Sequence, residues 1–310
     1  QNYLKAIEYY ELAGKQNYAK ALNNLGKLYE KGFGVKQDYL MAKKYYELAA
    51  KKNYSIALFN LGNLYEEGYG VEQNYPKAKE YYELSAKQNN SEALFNLGYF
   101  YNYGKAVKRD YLKAKEYYEL AEKQNNSSAL LSLGFLYEEG KGVKQDYLKA
   151  KEYYEKSSNL NDSDGLVHLG YLYLEGNGVT KDFSKAMKYF EKAAKQSNSD
   201  AYLCLGEMYE KGYDVKIDYL KAKHYYTIAS NLDNDEAFTY LGKLYEKGHG
   251  VEQSYEKAKE YHEIAAGGNC GFSIYKLGRF YEKGLAVKQD YLKAKEYYEL
   301  AARPNNSIPL

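Results

Sequence analysis

The sequence predicts an all-α fold, a solenoid built from helical hairpins of 36 residues. Three observations point there. The dipeptide Leu-Gly recurs at 25–26, 61–62, 97–98, 133–134, 169–170, 205–206, 241–242 and 277–278, an unbroken spacing of 36, and repetition at such a period marks a stacked array. Each repeat holds two stretches whose apolar residues recur at helical spacing, and no stretch alternates as a strand would. Between the two stretches lies a Gly-x-Gly-Val turn or a close variant of it. The repeats divide as 17–52, 53–88, 89–124, 125–160, 161–196, 197–232, 233–268 and 269–304. Residues 1–16 read as a lone second helix, and 305–310 as the start of a further repeat, in register up to Leu310.

Positions 36 residues apart form columns, each named by its member in the first full repeat. In the first helix the buried stripe is expected from the columns of Ala21, Leu22, Leu25, Leu28 and Tyr29, with Gly26 letting a neighbour approach closely. Leu25, Gly26 and Tyr29 have identical counterparts in all eight repeats. The stretch KGFGVKQDYL at 31–40 comes next, and its Gly-x-Gly raises the question of phosphate binding. A dinucleotide fingerprint needs a third Gly after a strand, and a Walker loop needs Gly-Lys-Ser/Thr. Neither is present, and Asp38 occupies the helix start where it would repel an anion. Gly32 and Gly34 are therefore expected to stop the helix and make the turn, with Val35 plugging the core. Three repeats carry Ala106, Asp214 or Ala286 in place of the second Gly, and less regular turns are expected there.

The second helix opens on the Asp38 column, which reads Asn2, Asp38, Asn74, Asp110, Asp146, Asp182, Asp218, Ser254 and Asp290, all N-cap residues. Its buried stripe is Tyr39, Ala42, Tyr45, Tyr46 and Ala49 with their counterparts, small Ala interlocking with large Tyr. Lys and Glu such as Lys79 and Glu83 form a solvated face of i,i+4 pairs. The turn between repeats is rich in Asn and Ser. Asn-x-Ser sequons at Asn53, Asn89, Asn125, Asn126, Asn161 and Asn305 all fall there, which reads as turn and cap chemistry ahead of glycosylation.

These residues resemble the Sel-one-like repeat, a relative of the tetratricopeptide repeat. The pattern is Ala-x-x-x-Leu-Gly-x-x-Tyr-x-x-Gly-x-Gly-Val-x-x-Asp-Tyr-x-Lys-Ala-x-x-Tyr-Tyr-x-x-Ala-Ala, and it covers essentially the whole chain. The Gly-x-Gly-Val turn and the 36-residue period separate it from the 34-residue tetratricopeptide unit. The family's frequent Trp in the second helix is here Tyr45 and its counterparts. The resemblance implies a right-handed α-α superhelix whose first helices line the concave surface. It also implies settings such as secretory-pathway quality control, cell-wall synthesis regulation or host–pathogen adaptors.

Composition narrows the function classes. Of 310 residues 45% are apolar and 28% charged; the mean hydropathy of −0.76 argues against membrane insertion. A net charge of +2 gives no global bias toward nucleic acid or an anionic membrane. Tyrosines number 42, but 32 lie in the Tyr29, Tyr39, Tyr45 and Tyr46 columns, so they are core material and not a stacking platform for bases. Cys204 and Cys270 stand 66 residues apart, which excludes a disulfide framework and reads as two free thiols. His168, His224, His249 and His262 sit in four different columns and repeats and make no ligand cluster. His262 replaces a core Tyr and is expected to be packed, while His224 and His249 read as surface residues. Neighbouring acids such as Glu66–Glu67 and Glu138–Glu139 point apart on a helix, which disfavours a general acid/base pair. No catalytic, cofactor or metal site is expected. The first residues, QNYLKAIEYY, have no Met and no apolar signal region and so say nothing about targeting; the chain is read as a fragment, with the cytoplasm favoured over a secretory lumen or periplasm.

The remaining surface is the face of the first helix opposite the buried stripe. The Asn23 column reads Asn23, Phe59, Phe95, Leu131, Val167, Leu203, Thr239 and Tyr275, and the Lys27 column carries Tyr99, Phe135 and Tyr171. Apolar residues gathered on a face turned from the core mark a binding site. The columns of Lys20, Lys27, Glu30 and Lys31 carry a net −9 over repeats two to six, against +2 for the chain. An acidic groove with an aromatic floor is expected, formed by Phe59, Phe95, Tyr99, Leu131, Phe135, Val167 and Tyr171 with Asn60, Asn96, Glu67, Glu138 and Glu175. Its partner would be a protein or peptide bearing apolar and basic side chains. The expected function is a protein-interaction scaffold or adaptor, with no nucleic acid. The alternatives are an architectural rod that self-associates end to end, or the regulatory arm of an enzyme whose catalytic domain lies elsewhere.

Overall fold

The structure, a computed structural model, describes residues 2–303. The expected further repeat at 305–310 and the sequon at Asn305 lie outside the described residues. Seventeen helices and no strand occur among them. Contacts divide the chain into two compact parts, the division falling between Asp162 and Ser163. The first part holds α1 (Tyr3–Lys15), α2 (Ala19–Lys31), α3 (Tyr39–Ala50), α4 (Ser55–Glu67), α5 (Tyr75–Ala86), α6 (Ser91–Tyr103), α7 (Tyr111–Glu122), α8 (Ser127–Glu139) and α9 (Tyr147–Asn159). The second holds α10 (Ser163–Glu175), α11 (Phe183–Ala194), α12 (Ser199–Lys211), α13 (Tyr219–Asn231), α14 (Asp235–Lys247), α15 (Tyr255–Gly267), α16 (Gly271–Lys283) and α17 (Tyr291–Ala301). Within each part an even-numbered helix pairs most closely with the odd-numbered one after it, and hairpin stacks on hairpin.

One contact sets the hairpin. At Gly26 a Cβ would lie 2.4 Å from a ring carbon of Tyr46, and at Gly134 2.3 Å from Tyr154. The glycine column is thus the seat of the fully buried tyrosine column, and the alanines beside it, Ala42, Ala78, Ala114 and Ala150, are 0% exposed. This interlock of a missing side chain with a large one accounts for two of the sequence's regular columns. The turn is pinned as firmly. Gly32 takes a left-handed φ of 71° at the end of α2, the Asp38 amide donates to the Tyr29 carbonyl at 2.9 Å, and the Gln37 side chain donates to the Glu30 carbonyl at 2.8 Å. The Asp38 side chain then accepts from the Met41 amide at 2.9 Å and starts α3. All nine expected N-cap residues accept in this way.

Two expectations about turns meet the structure differently. Asn53, Asn89, Asn125 and Asn161 adopt φ of 56–62°, and Asn126 caps α8 through its side chain, so these Asn residues are turn and cap residues, as their sequence context implies. Ala106, Asp214 and Ala286, expected to loosen their turns, do not. They hold φ of 56–57°, the same left-handed conformation as the glycines they replace, because the hydrogen bonds on either side over-determine it.

Candidate functional site

The first part carries two adjoining cavities over the first helices α4, α6 and α8. One, of about 500 Å³, is lined by Lys31, Phe59, Asn63, Glu66, Glu67, Asn96 and Lys105 together with Phe95 and Tyr99. The other, of about 440 Å³, shares Phe95 and Tyr99 and adds Asn102, Tyr103, Tyr118, Ser132, Phe135, Glu139 and Lys141. Their floor is built in two layers. Phe59 lies on the buried Tyr82 at 5.8 Å between centroids, Phe95 on Tyr118 at 5.8 Å, and Phe135 edge-on to Tyr154 at 6.0 Å. The rings of the Asn23 and Lys27 columns therefore cover the buried tyrosine column and present their outer faces to solvent. Tyr99 and Tyr103 pack at 4.5 Å on the same helix, the i,i+4 spacing that makes them neighbours.

The charge of this face differs from the expectation. Glu30, Glu66 and Glu138 accept hydrogen bonds from the buried hydroxyls of Tyr46 (2.6 Å), Tyr82 (2.7 Å) and Tyr154. Burial pushes those phenols well above their ordinary range. Burial also raises Glu138, with the Tyr154 hydroxyl opposing it. Glu138, expected as a charge for steering a partner, is thus the partner of a core phenol. Turn lysines reach back over the groove as well: Lys105 lies 3.4 Å from Glu66 and 4.8 Å from the Tyr99 ring centre, and Lys141 lies 3.7 Å from Glu139. The sequence expectation left out these turn residues, and with them the groove of the first part is charge-mixed, with Glu67 an exposed carboxylate at its rim.

Of the candidate residues, Phe59, Phe95, Tyr99, Phe135, Asn96 and Glu67 come together in these cavities. Leu131 is half-buried on α8 and lies outside both linings. Asn60 is buried, donating to Asn23 at 2.9 Å, and is structural. In the second part, Val167 is 3% exposed within a core that includes Leu166, Phe190 and Cys204, so it offers no surface. Tyr171 packs edge-on to Phe190 at 5.5 Å, and its hydroxyl accepts from the buried Cys204 thiol at 2.9 Å. Glu175 is exposed at the end of α10. Both cysteines are free and buried. His262 is fully buried with its Nδ1 3.1 Å from Ser273, and His249, expected at the surface, is half-buried and stacked on Tyr219 at 4.2 Å.

Sequence reasoning missed Asn102, Tyr118 and Ser132. A signal existed: the Glu30 column reads Glu30, Glu66, Asn102, Glu138, Leu174, Glu210, Glu246 and Glu282. It pairs with the Tyr46 column sixteen residues later, and Leu174 faces the one Phe of that column, Phe190. Asn102 stands out against this pairing.

Among the described residues, no group of three or more His, Cys, Asp or Glu could hold a metal ion, and no helix is long and apolar enough to cross a membrane. The chain matches the Sel1 repeat over residues 1–18, 19–54, 55–90, 91–126, 127–162, 163–198, 199–234, 236–269 and 271–305. No curated protein matches it. Among solved structures it is similar to c5321, a protective antigen of uropathogenic Escherichia coli with an SLR fold, at 30% identity and a TM-score of 0.66, over 95% of this chain and 71% of that one. It is also similar to a Sel1 repeat protein of Oxalobacter formigenes at 32% identity and a TM-score of 0.70, over 78% and 98%. The immunity protein PA5088 of Pseudomonas aeruginosa shares the fold at 20% identity and a TM-score of 0.51, over 68% and 82%.

Proposed function

The chain belongs to the Sel1 repeat family, non-catalytic helical scaffolds that generally mediate protein–protein interaction, and from that premise we propose that it is an adaptor whose first-helix face over α4, α6 and α8 grips a peptide segment of a partner protein. The observation that carries this reading is the pair of adjoining cavities floored by Phe59, Phe95, Tyr99 and Phe135. Half-exposed rings that are themselves braced by buried tyrosines supply rigid apolar contact area at little entropic cost, which is the character of an interaction hot spot. The partner segment carries apolar side chains for the rings and a basic residue for Glu67, whose rim position suits steering of encounter.

Panning a random displayed-peptide library on the intact chain tests this. Enriched peptides should lose more than about 1 kcal/mol of affinity for Tyr99→Ala and for Phe135→Ala. The same substitutions should cost the fold far less than Tyr137→Ala, where a buried ring is lost for roughly 3–5 kcal/mol. If Phe135→Ala lowers the melting temperature as much as Tyr137→Ala, Phe135 is core. Failure to enrich any peptide would favour an architectural rod.

A further inference from the structure

The smaller cavity has a chemistry of its own, and a ligand for it presupposes that this face is a peptide groove. In five other repeats a phenol of the Tyr46 column donates a hydrogen bond to a glutamate sixteen residues earlier: Tyr46 to Glu30, Tyr82 to Glu66, Tyr154 to Glu138, Tyr226 to Glu210 and Tyr298 to Glu282. In the third repeat the phenol is Tyr118, 1% exposed, and its ring sits as the others do, 2.5 Å from where a Cβ on Gly98 would be. The acceptor is gone. Position 102 is an asparagine, one methylene shorter and uncharged, and its side-chain oxygen is buried without a hydrogen-bond partner. The neighbouring polar group is the Ser132 hydroxyl, which is close enough to act on the Tyr118 phenol. Tyr118, Asn102 and Ser132 all line the 440 Å³ cavity, whose remaining wall is Phe95, Tyr99, Tyr103 and Phe135. The place that a glutamate side chain fills elsewhere is open here, with a hydroxyl that has lost its carboxylate and an amide oxygen that has no donor.

A buried polar group without a partner costs free energy until something supplies the missing bond. The pocket holds an acceptor without a donor in the Asn102 oxygen and an O–H donor in Tyr118, so a ligand that donates to the first and accepts from the second fits it. A ligand carrying both functions also suits the asparagine in either amide orientation. An uncharged group suits it, because the lysine of its lining, Lys141, is already paired with Glu139. A primary carboxamide meets each requirement in one group. We propose that the pocket between α6 and α8 is a carboxamide subsite, taking a Gln or Asn side chain of the partner peptide with its methylenes against Phe95 and Phe135.

Asn102→Glu tests this, since it should rebuild the Tyr118–carboxylate link of the other repeats and fill the pocket without harming the fold. Isotope-labelled protein is titrated with N-acetylglutamine dimethylamide, and with the glutamate and leucine counterparts, so that the side chain alone can supply a primary carboxamide, while the Asn102 side-chain amide and the Tyr118 and Phe135 ring signals are followed. The glutamine probe should give saturable shifts in the wild type, at least tenfold weaker binding to Asn102→Glu, and weaker binding to Tyr118→Phe, which keeps the ring as Phe190 does. Peptides panned on the wild type should carry one enriched Gln or Asn and lose at least tenfold on Asn102→Glu. No saturable shift with the glutamine probe, or a preference for the glutamate or leucine probe, overturns the subsite. If panned peptides depend on Tyr99 and Phe135 but bind Asn102→Glu undiminished, the groove stands and the carboxamide subsite falls.

Discussion

A buried phenol needs an acceptor, and a half-buried carboxylate needs a donor, so Tyr154 and Glu138 hold each other in place. Removing one alone deprives the other of this bond, at a cost of about 1–3 kcal/mol, whereas exchanging both for apolar groups of similar shape is nearly neutral. Repeat five already runs on such an exchange, Phe190 with Leu174, both buried. Glu138→Leu is therefore expected to lower stability by about 1–3 kcal/mol, and Glu138→Leu with Tyr154→Phe to recover most of it, measured as a denaturant double-mutant cycle; additive losses would show the pair to be uncoupled. His262 answers the same need differently, by facing Ser273, with Glu246 taken by Lys276 at 2.8 Å. Burial, aided by Lys276 and Lys243, pushes its pKa down to about 3 from an ordinary 6.5. The folded state thus refuses a proton that the unfolded chain accepts, so stability is full above pH 6.5, falls as pH drops toward 3, and falls no further on this account below it. The loss is on the order of 4–5 kcal/mol by about pH 3. Melting temperatures from about pH 7 to about pH 4 should decline less steeply in His262→Phe than in the wild type, and equal slopes would remove His262 as the cause.

At the scale of the element, each second helix starts on one side chain and each hairpin closes on one glycine. Asp146 accepts from the Lys149 amide at 3.0 Å, and Asp146→Ala should cost about 1 kcal/mol. Gly134→Ala sets a methyl 2.3 Å from a carbon of the Tyr154 ring, which is fully buried and cannot retreat, so overpacking of about 1–3 kcal/mol is expected. Urea midpoints with unchanged slopes would measure both; a neutral Gly134→Ala would mean that the hairpin has slack. These devices were legible in the sequence because they are local: a cap lies within three residues of the amide it satisfies, and a left-handed turn residue sits at the end of the helix it stops. The site was less legible. Phe59, Phe95, Tyr99 and Phe135 could be read from their columns because helical period alone sets which face they share. Asn60 could not be told from Asn96 by position, since one meets Asn23 of the neighbouring first helix and the other lines a cavity. Lys105 and Lys141 belong to the turn by sequence, yet they swing back over the groove and dilute its acidity. The phenol–carboxylate pairing joins two helices through space, and only the joint departure of Phe190 and Leu174 betrays it.

At the scale of the molecule, stability is a chain of nearest-neighbour terms. In the first part α4 packs on α3 and α5, α6 on α5 and α7, and α8 on α7 and α9, so every junction repeats the same contact between the same columns. Deleting residues 89–124 removes α6 and α7 and joins Gln88 to Asn125. Asn125 has the left-handed φ of 57° that Asn89 had at 58°, and Asn126 caps α8 as Asn90 capped α6, so α8 inherits the junction with α5. The deletion should keep its ellipticity per residue and a cooperative, somewhat lower melting transition, as a shorter array with one interface fewer. It also takes away Phe95, Tyr99, Asn102 and Tyr118, which removes the shared wall of both cavities while Phe59 and Phe135 remain. A scaffold whose partner lies across α4, α6 and α8 must then lose its captured peptides by at least tenfold although it is folded, because no neighbouring repeat reproduces Tyr99 and Asn102 together. Circular dichroism and peptide binding on this one variant separate the two demands on the array: lost helicity would contradict the nearest-neighbour account, and retained binding would move the partner to another face.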